Sequence, residues 1–435
     1  MNHSESEQPR GTVEESDPTP VLAALALVVG TSALPFTGYL PSSVSYIVVL
    51  AAYLVFACVV VASGQQLRLA VPGWALLMLG SVWLIYLGHL FVDIVQGPIN
   101  TEALVRVPPF VLLTGVNLFF IPQVVTRRGF FAIIARISAA LVVIGLPTLF
   151  VDSYTLLVID VVSIRGESIP FTSAGRNVVS SIFLNPNTMS YVTLLGFLTA
   201  LGEFVETHRR VPAMLTVING SGLYLAHGRS SMLAGVAGVC LFGLYMLGTK
   251  RTFRAGYILG GISGIYVILA VFGYIPGPSF ITNVNVTGRP VIWAGGVRAI
   301  LEQPTFGYGA GETGEFLAPF ISGKYSGYTP HNSYLRVFVE TGVVGGIAYL
   351  MLVGRTLFSR LFGELSVSDL TTLVLCSAIA VSMIFRGYTL FGFSIASLIA
   401  AITFGYGIKP TDSGEDQGIG TDEVSTGSTR TPHAE

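Results

Sequence analysis

The stretch YTPHNSYLRVFVETGVVGG, Tyr328–Gly346, decides the fold class. A polar Thr-Pro-His-Asn cluster opens a segment that turns apolar and glycine-rich, the pattern of a buried membrane helix with chemistry at its mouth. Working outward, apolar runs of about 17–23 residues recur along the chain, long enough to cross a bilayer. Of the 435 residues, 52% are hydrophobic and 11% charged, and mean hydropathy is +0.70. A soluble domain carries about twice that charged fraction. The reading is an all-α integral membrane protein. No charged, apolar and cleavable signal opens the chain, so its first apolar run reads as a retained span. Cys58, Cys240 and Cys376 all fall in apolar runs without a CxxC spacing, which suits small membrane residues.

Spans are expected near 20–36, 43–63, 73–95, 104–125, 130–151, 186–206, 211–227, 230–248, 255–275, 332–354, 370–386 and 388–407, about twelve in all. With the N-terminus inside, every short inner loop is basic: Arg68; Arg127 and Arg128; Arg209 and Arg210; Lys250, Arg251 and Arg254; Arg355 and Arg360. Positive loops face the cytoplasm, so both termini are expected there, in the cytoplasmic membrane. The polar, acidic tails 1–19 and 409–435 read as disordered, flanking a membrane domain over 20–408. Two long loops, about 152–185 and 276–331, are left outside, and long loops in a compact body are usually functional.

A second set of basic residues then faces outward: Arg165, Arg176, Arg229, Arg289, Arg298, Lys324 and Arg386. Singly, each could snorkel to the interface. As a group they suit a shared anion site, because a cation near hydrocarbon costs a few kcal/mol unless paired or hydrated. Three motifs lie on this face. In LAHGRSSMLAG, Arg229 occupies a short turn that folding does not require to be charged, with Ser230 and Ser231 able to cap the following helix. In TGRPVIWAGGVRAILEQPTFGYGAGE, Pro290 to Gln303 reads as a short amphipathic helix on the outer interface. Its apolar stripe is Ile292, Val297, Ile300 and Leu301, its polar face an Arg298–Glu302 pair, and Arg289 sits at its N-terminus. The GYGAG run after it follows no strand and reads as a flexible turn.

In the opening stretch, Thr329 is the expected N-cap and Pro330 the first helical residue, which puts His331 in the first turn. The positive helix end then holds the imidazole neutral, as a general base must be. A hydrogen-bonded interfacial histidine is the bland reading. Gly342, Gly345 and Gly346 suggest close helix packing. His89 and Asp93, four apart near an outer helix end, suit either the wall of an acceptor cavity or an interfacial pair, and the second is the preferred reading.

Taken in order, GRPVIWAGGVRAILEQPTFGYGAGE and HNSYLRVFVETGVVGG resemble the O-antigen ligase and polymerase superfamily of membrane glycosyltransferases, over about 211–355. HGRSSMLAG is similar to the family's Ser-Arg-Gly segment, although here Gly228 precedes the arginine and Ser230 follows it. The resemblance implies transfer of a glycan from a polyprenyl pyrophosphate or phosphate lipid to an acceptor hydroxyl on the outer face. It puts the family's essential arginines on Arg229 and Arg289 and its essential histidine on His331. Arg176 and Arg386 are possible phosphate-binding helpers, and Glu312 and Glu315 rival bases. No histidine–carboxylate spacing builds a metal site, so metal-independent chemistry without a cofactor is expected. The partners expected are the lipid-linked donor, a lipid or glycan acceptor and the membrane, with no nucleic acid. Ligase and polymerase are not separable at this stage. The rival reading is a flippase for a lipid-linked glycan, although the notable charges cluster at the surface and not at the midplane.

Overall fold

The computed structural model describes residues 19–64, 70–97, 101–165, 177–282, 288–363 and 365–409. Arg68, Arg176 and both polar tails lie outside the described residues. The helices are α1 (Thr19–Thr31), α2 (Ser42–Ala62), α3 (Gly73–Gln96), α4 (Thr101–Gly115), α5 (Ile121–Val124), α6 (Arg127–Gly145), α7 (Pro186–Thr207) and α8 (Arg210–Leu225). They continue as α9 (Arg229–Leu247), α10 (Lys250–Val271), α11 (Ser279–Thr282), α12 (Arg289–Glu302), α13 (Thr313–Leu317), α14 (Ser333–Phe362), α15 (Val367–Ile384) and α16 (Ile395–Ile408).

Among the described residues, ten helical stretches are long and apolar enough to cross a membrane. The chain is an all-α integral membrane protein. The other two expected spans fall on shorter helices, α8 of 16 residues and α16 of 14. The span expected over 388–407 starts as a helix only at Ile395, where the Ser394 hydroxyl accepts from Ser397 N and caps it. Before it, the chain runs non-helically from Phe385 to Ser394. Every residue of α16 is buried, as an all-round apolar helix should be. Irregular backbone beside it is tolerated because protein surrounds it.

One expected loop carries structure. Residues 153–181 contain a three-stranded antiparallel sheet, β1 (Ser153–Leu156), β2 (Ile159–Arg165) and β3 (Asn177–Ser181), in the order β1-β2-β3.

At the opposite end, Asp369 is buried between two guanidiniums, with Arg127 Nη1 at 2.6 Å and Arg360 Nη1 at 3.0 Å. Arg360 also donates to the carbonyls of Tyr406, Gly407 and Lys409, supplying the hydrogen bonds that the last turn of α16 lacks. Asp369→Ala would leave two cations facing each other. It is expected to cost about 3 kcal/mol, the scale for breaking a buried pair, read as a lowered thermal midpoint of the detergent-solubilised protein.

Candidate functional site

The site is organised by a break in α14. Gly342 sits at φ 64°, ψ −167°, a conformation essentially confined to glycine. A break there releases two carbonyls and two amides from their helical partners. The 304–309 segment takes up all four. Tyr308 N donates to Val339 O at 3.0 Å and Gly309 N to Glu340 O at 2.8 Å, while Val343 N and Val344 N donate to Pro304 O and Thr305 O at 2.7 and 3.4 Å. The GYGAG run is therefore a fixed brace and not the flexible turn expected. Gly307 is required because a Cβ there would lie 2.5 Å from Val339 O. Gly342→Ala combines a forbidden backbone with a Cβ 2.3 Å from Thr305 O. We expect about 3 kcal/mol or more of destabilisation, seen as loss of folded protein in size-exclusion chromatography.

Two residues before the break lies Glu340, 4% exposed, a carboxylate inside the membrane body. It accepts from Tyr86 Oη at 2.5 Å, Arg336 Nε at 2.7 Å and Thr313 Oγ1 at 2.8 Å. Arg336 Nη1 in turn donates to Gly387 O at 3.3 Å. Glu340 and Arg336 thus tie α3, α13 and α14 to the 385–388 segment. Sequence reasoning missed both, although an intramembrane carboxylate with an arginine four residues before it was a usable signal. Tyr86, 254 positions away, gave none.

His331 precedes α14 and is not in its first turn. Asn332 is the N-cap, its Oδ1 accepting from Leu335 N at 3.0 Å, and the helix starts at Ser333. Asparagine caps at least as well as threonine, so the start moves past Thr329 and Pro330. His331 instead takes the left-handed φ of 44°, uncommon for any residue but glycine. Its neighbours hold it there. Trp293 Nε1 of α12 donates to Pro330 O at 2.9 Å, with the indole stacked on Phe272. Ser333 Oγ donates to Arg386 O at 2.8 Å, and a Cβ on Gly387 would lie 3.9 Å from His331 Cα.

Arg289 opens α12 as expected, after Gly288 at φ 71°, where any Cβ would strike the Tyr325 ring at 2.4 Å. The buried face of α12 is Ile292, Gly295, Gly296 and Ala299. Of the expected apolar stripe, Ile292 is buried in the protein while Val297 and Leu301 face outward, because the glycines let α14 and the 320–321 segment approach closely on the other side. Arg298 Nε donates to Ala294 O within the helix. The Arg289 guanidinium lies 5.6 Å from the centre of the Phe385 ring.

Arg386 bridges α9 and α7: Nη2 donates to Ser231 Oγ at 2.8 Å, Nη1 to Asn187 O, and the guanidinium lies 5.7 Å from the Tyr191 ring centre. Its Nε is buried with no hydrogen-bond partner among the described residues. Burial, then the charge of Arg386, lowers the pKa of Arg289. Burial, then the charge of Arg289, lowers that of His331, whose side chain still keeps an exposed side. The shift favours the neutral imidazole, and its cause is desolvation and a neighbouring cation, not the helix end expected.

His331, Arg289 and Arg386 are thereby brought together. Among the described residues, neither arginine has a carboxylate partner. Arg229 is the first residue of α9, exposed, two positions before the Ser231 that accepts from Arg386. Glu312 is engaged with Arg106 in an ion pair, and Glu315 is exposed in the first turn of α13. His89 Nε2 lies 3.0 Å from Phe306 O and packs beside Gly309, steadying the brace. No three His, Cys, Asp or Glu side chains converge as a metal site among the described residues.

Residues 214–350 match the family model described as O-antigen ligase. Over 205 residues the chain is 26% identical to the exopolysaccharide production protein ExoQ of Rhizobium meliloti (strain 1021). That match covers 42% of this chain and 46% of ExoQ, so it spans less than half the length of the relative. The resemblance to the O-antigen ligase and polymerase superfamily is therefore borne out, and it is carried by the segment that holds Arg229, Arg289, His331, Arg336 and Glu340.

Proposed function

We propose that the chain is a membrane glycosyltransferase of cell-surface polysaccharide assembly, moving a glycan from a polyprenyl (pyro)phosphate carrier to an acceptor hydroxyl. The observation that carries this reading is the cluster of Arg289 and Arg386 beside a neutral-leaning His331, two cations without a carboxylate among the described residues. Half-buried cations gain from a counter-charge, and a lipid phosphate supplies it. The acceptor oxygen attacks the anomeric carbon as the bond from that carbon to the phosphate oxygen breaks. The bonding pair leaves on the phosphate, where the arginines stabilise it. His331 takes the acceptor proton. Arg229, and Arg176 beyond the described residues, would complete the phosphate site. Glu312 is the weaker base, since Arg106 already holds it. The scheme uses no metal ion.

The basic loops support an outward-facing site with both termini in the cytoplasm. We assign the transferase core to 211–355, including the loop 276–331, within a membrane domain of 20–408 between cytoplasmic tails. The name of ExoQ ties that relative to exopolysaccharide production, which favours a polymerase acceptor, the growing glycan, over a lipid one. The test is transfer in proteoliposomes holding a glycan on polyprenyl pyrophosphate, with EDTA present and candidate acceptors outside. Transferred glycan together with free lipid pyrophosphate supports the reading. Movement of the donor across the bilayer without transfer would replace it with a flippase.

A further inference from the structure

The turn between β1 and β2 is only Leu157–Val158, since Leu156 pairs with Ile159. With positive φ at its first central residue alone, the turn is of the type II′ kind, which favours glycine at that position. Here Leu157 takes φ 59° and is 93% exposed, with Leu156 and Val158 exposed beside it. Phe150 and Val151, just before the sheet, are exposed too. An apolar tip at a position suited to polar turn residues calls for an apolar partner.

The register shows where that tip points. β3 runs back along α6: Asn177 Nδ2 donates to Thr148 O at 3.3 Å, a Cβ on Gly145 would meet Val179 at 2.6 Å, and Ser181 Oγ donates to Leu141 O at 2.7 Å. β2 is antiparallel to β3, with Arg165 opposite Asn177 and Val162 opposite Ser181. The turn lies beyond Val162, so it is at the end of the sheet that faces back along the span. Tyr154 Oη, donating to Ile144 O, holds β1 against the same end of α6. β3 leads into α7, whose Asn187 O accepts from Arg386, so the sheet is on the side of the candidate site.

We propose that Leu156, Leu157 and Val158 dip into the lipid leaflet on that side, as a small anchor beside α6. Asp160, accepting from Thr155 Oγ1, sits two residues past Val158, about 7 Å along the strand. A carboxylate there stops insertion at the boundary between headgroups and acyl chains.

The test is a bimane label on Leu157→Cys in the full chain, with Cys58 and Cys240 changed to serine and the buried Cys376 kept. The protein is reconstituted in liposomes and exposed to lipids spin-labelled near the carbonyl or to aqueous iodide. A label on Lys324→Cys, exposed in the loop before α14, is the aqueous reference. The expected result is lipid quenching several-fold stronger at Leu157→Cys than at the reference, with iodide quenching several-fold weaker. Iodide quenching equal to the reference would place the tip in water. Protection from both quenchers would mean that protein covers it. Either outcome overturns the proposal. Leu157→Gly with Val158→Asn gives the turn its preferred residues, so the hairpin should survive. Lipid quenching of a label on Leu156→Cys should then fall, and unchanged quenching would remove the turn as the anchor.

Discussion

His331→Ala is expected to lower glycan transfer by about 10²–10⁴-fold, the range for losing a general base. The protein should remain folded, because Asn332 and not His331 caps α14. His331→Gln should be equally poor, since an amide fills the space but cannot take a proton. The wild-type pH profile carries the sharper test. Burial and Arg289 hold the His331 pKa below its ordinary value, so the imidazole is neutral at pH 7 and stays neutral some way below 6.5. The acid limb of the rate should therefore fall below pH 6.5, and a limb above it would contradict the site. Stability has a linked sign. Between the lowered folded value and the ordinary one, the unfolded chain binds more protons than the folded chain. Acidification through that window should cost stability in the wild type and less in His331→Ala.

The membrane body was legible because its signal is one of composition: apolar runs and basic loops survive errors of several residues at their ends. Helix α12 was legible as well, since Pro290 and the glycine before Arg289 mark its start. The misses share a cause. The side of α12 that packs on α14 was not readable, because the sequence shows which residues are apolar and not what they face, and there the two adjacent glycines decided. The start of α14 was misplaced because Thr329 and Asn332 are both good caps, and the choice rests on His331 tolerating a left-handed backbone. The break at Gly342 exists only because residues 304–309 return to satisfy it, a pairing no local pattern encodes. The same holds for the donors on Glu340, which come from three separate segments. Candidates proposed to act singly, His331 and Arg289, could be picked out by type and neighbourhood. Residues that act by holding others became visible only with their partners in place.

Arg289 separates a phosphate-binding role from mere support. If it stabilises charge on the departing phosphate, Arg289→Ala should lower transfer by about 10²–10³-fold, the scale for one preorganised donor. Its charge also lowers the pKa of His331, so removing it should let that value rise. The acid limb of the residual activity should then move to higher pH, toward the ordinary histidine value. Arg289→Lys keeps the charge but loses the planar fork, so it should be slow while its limb stays near the wild-type position. A structural role predicts otherwise: both variants would lose folded protein, and the surviving fraction would keep the wild-type profile. Arg386 supplies the contrast, because two of its nitrogens are already committed to Asn187 and Ser231. Arg386→Ala should therefore lose thermal stability as well as rate, whereas Arg289, which the described residues hold only by its contact with Phe385, should lose rate with little change in stability.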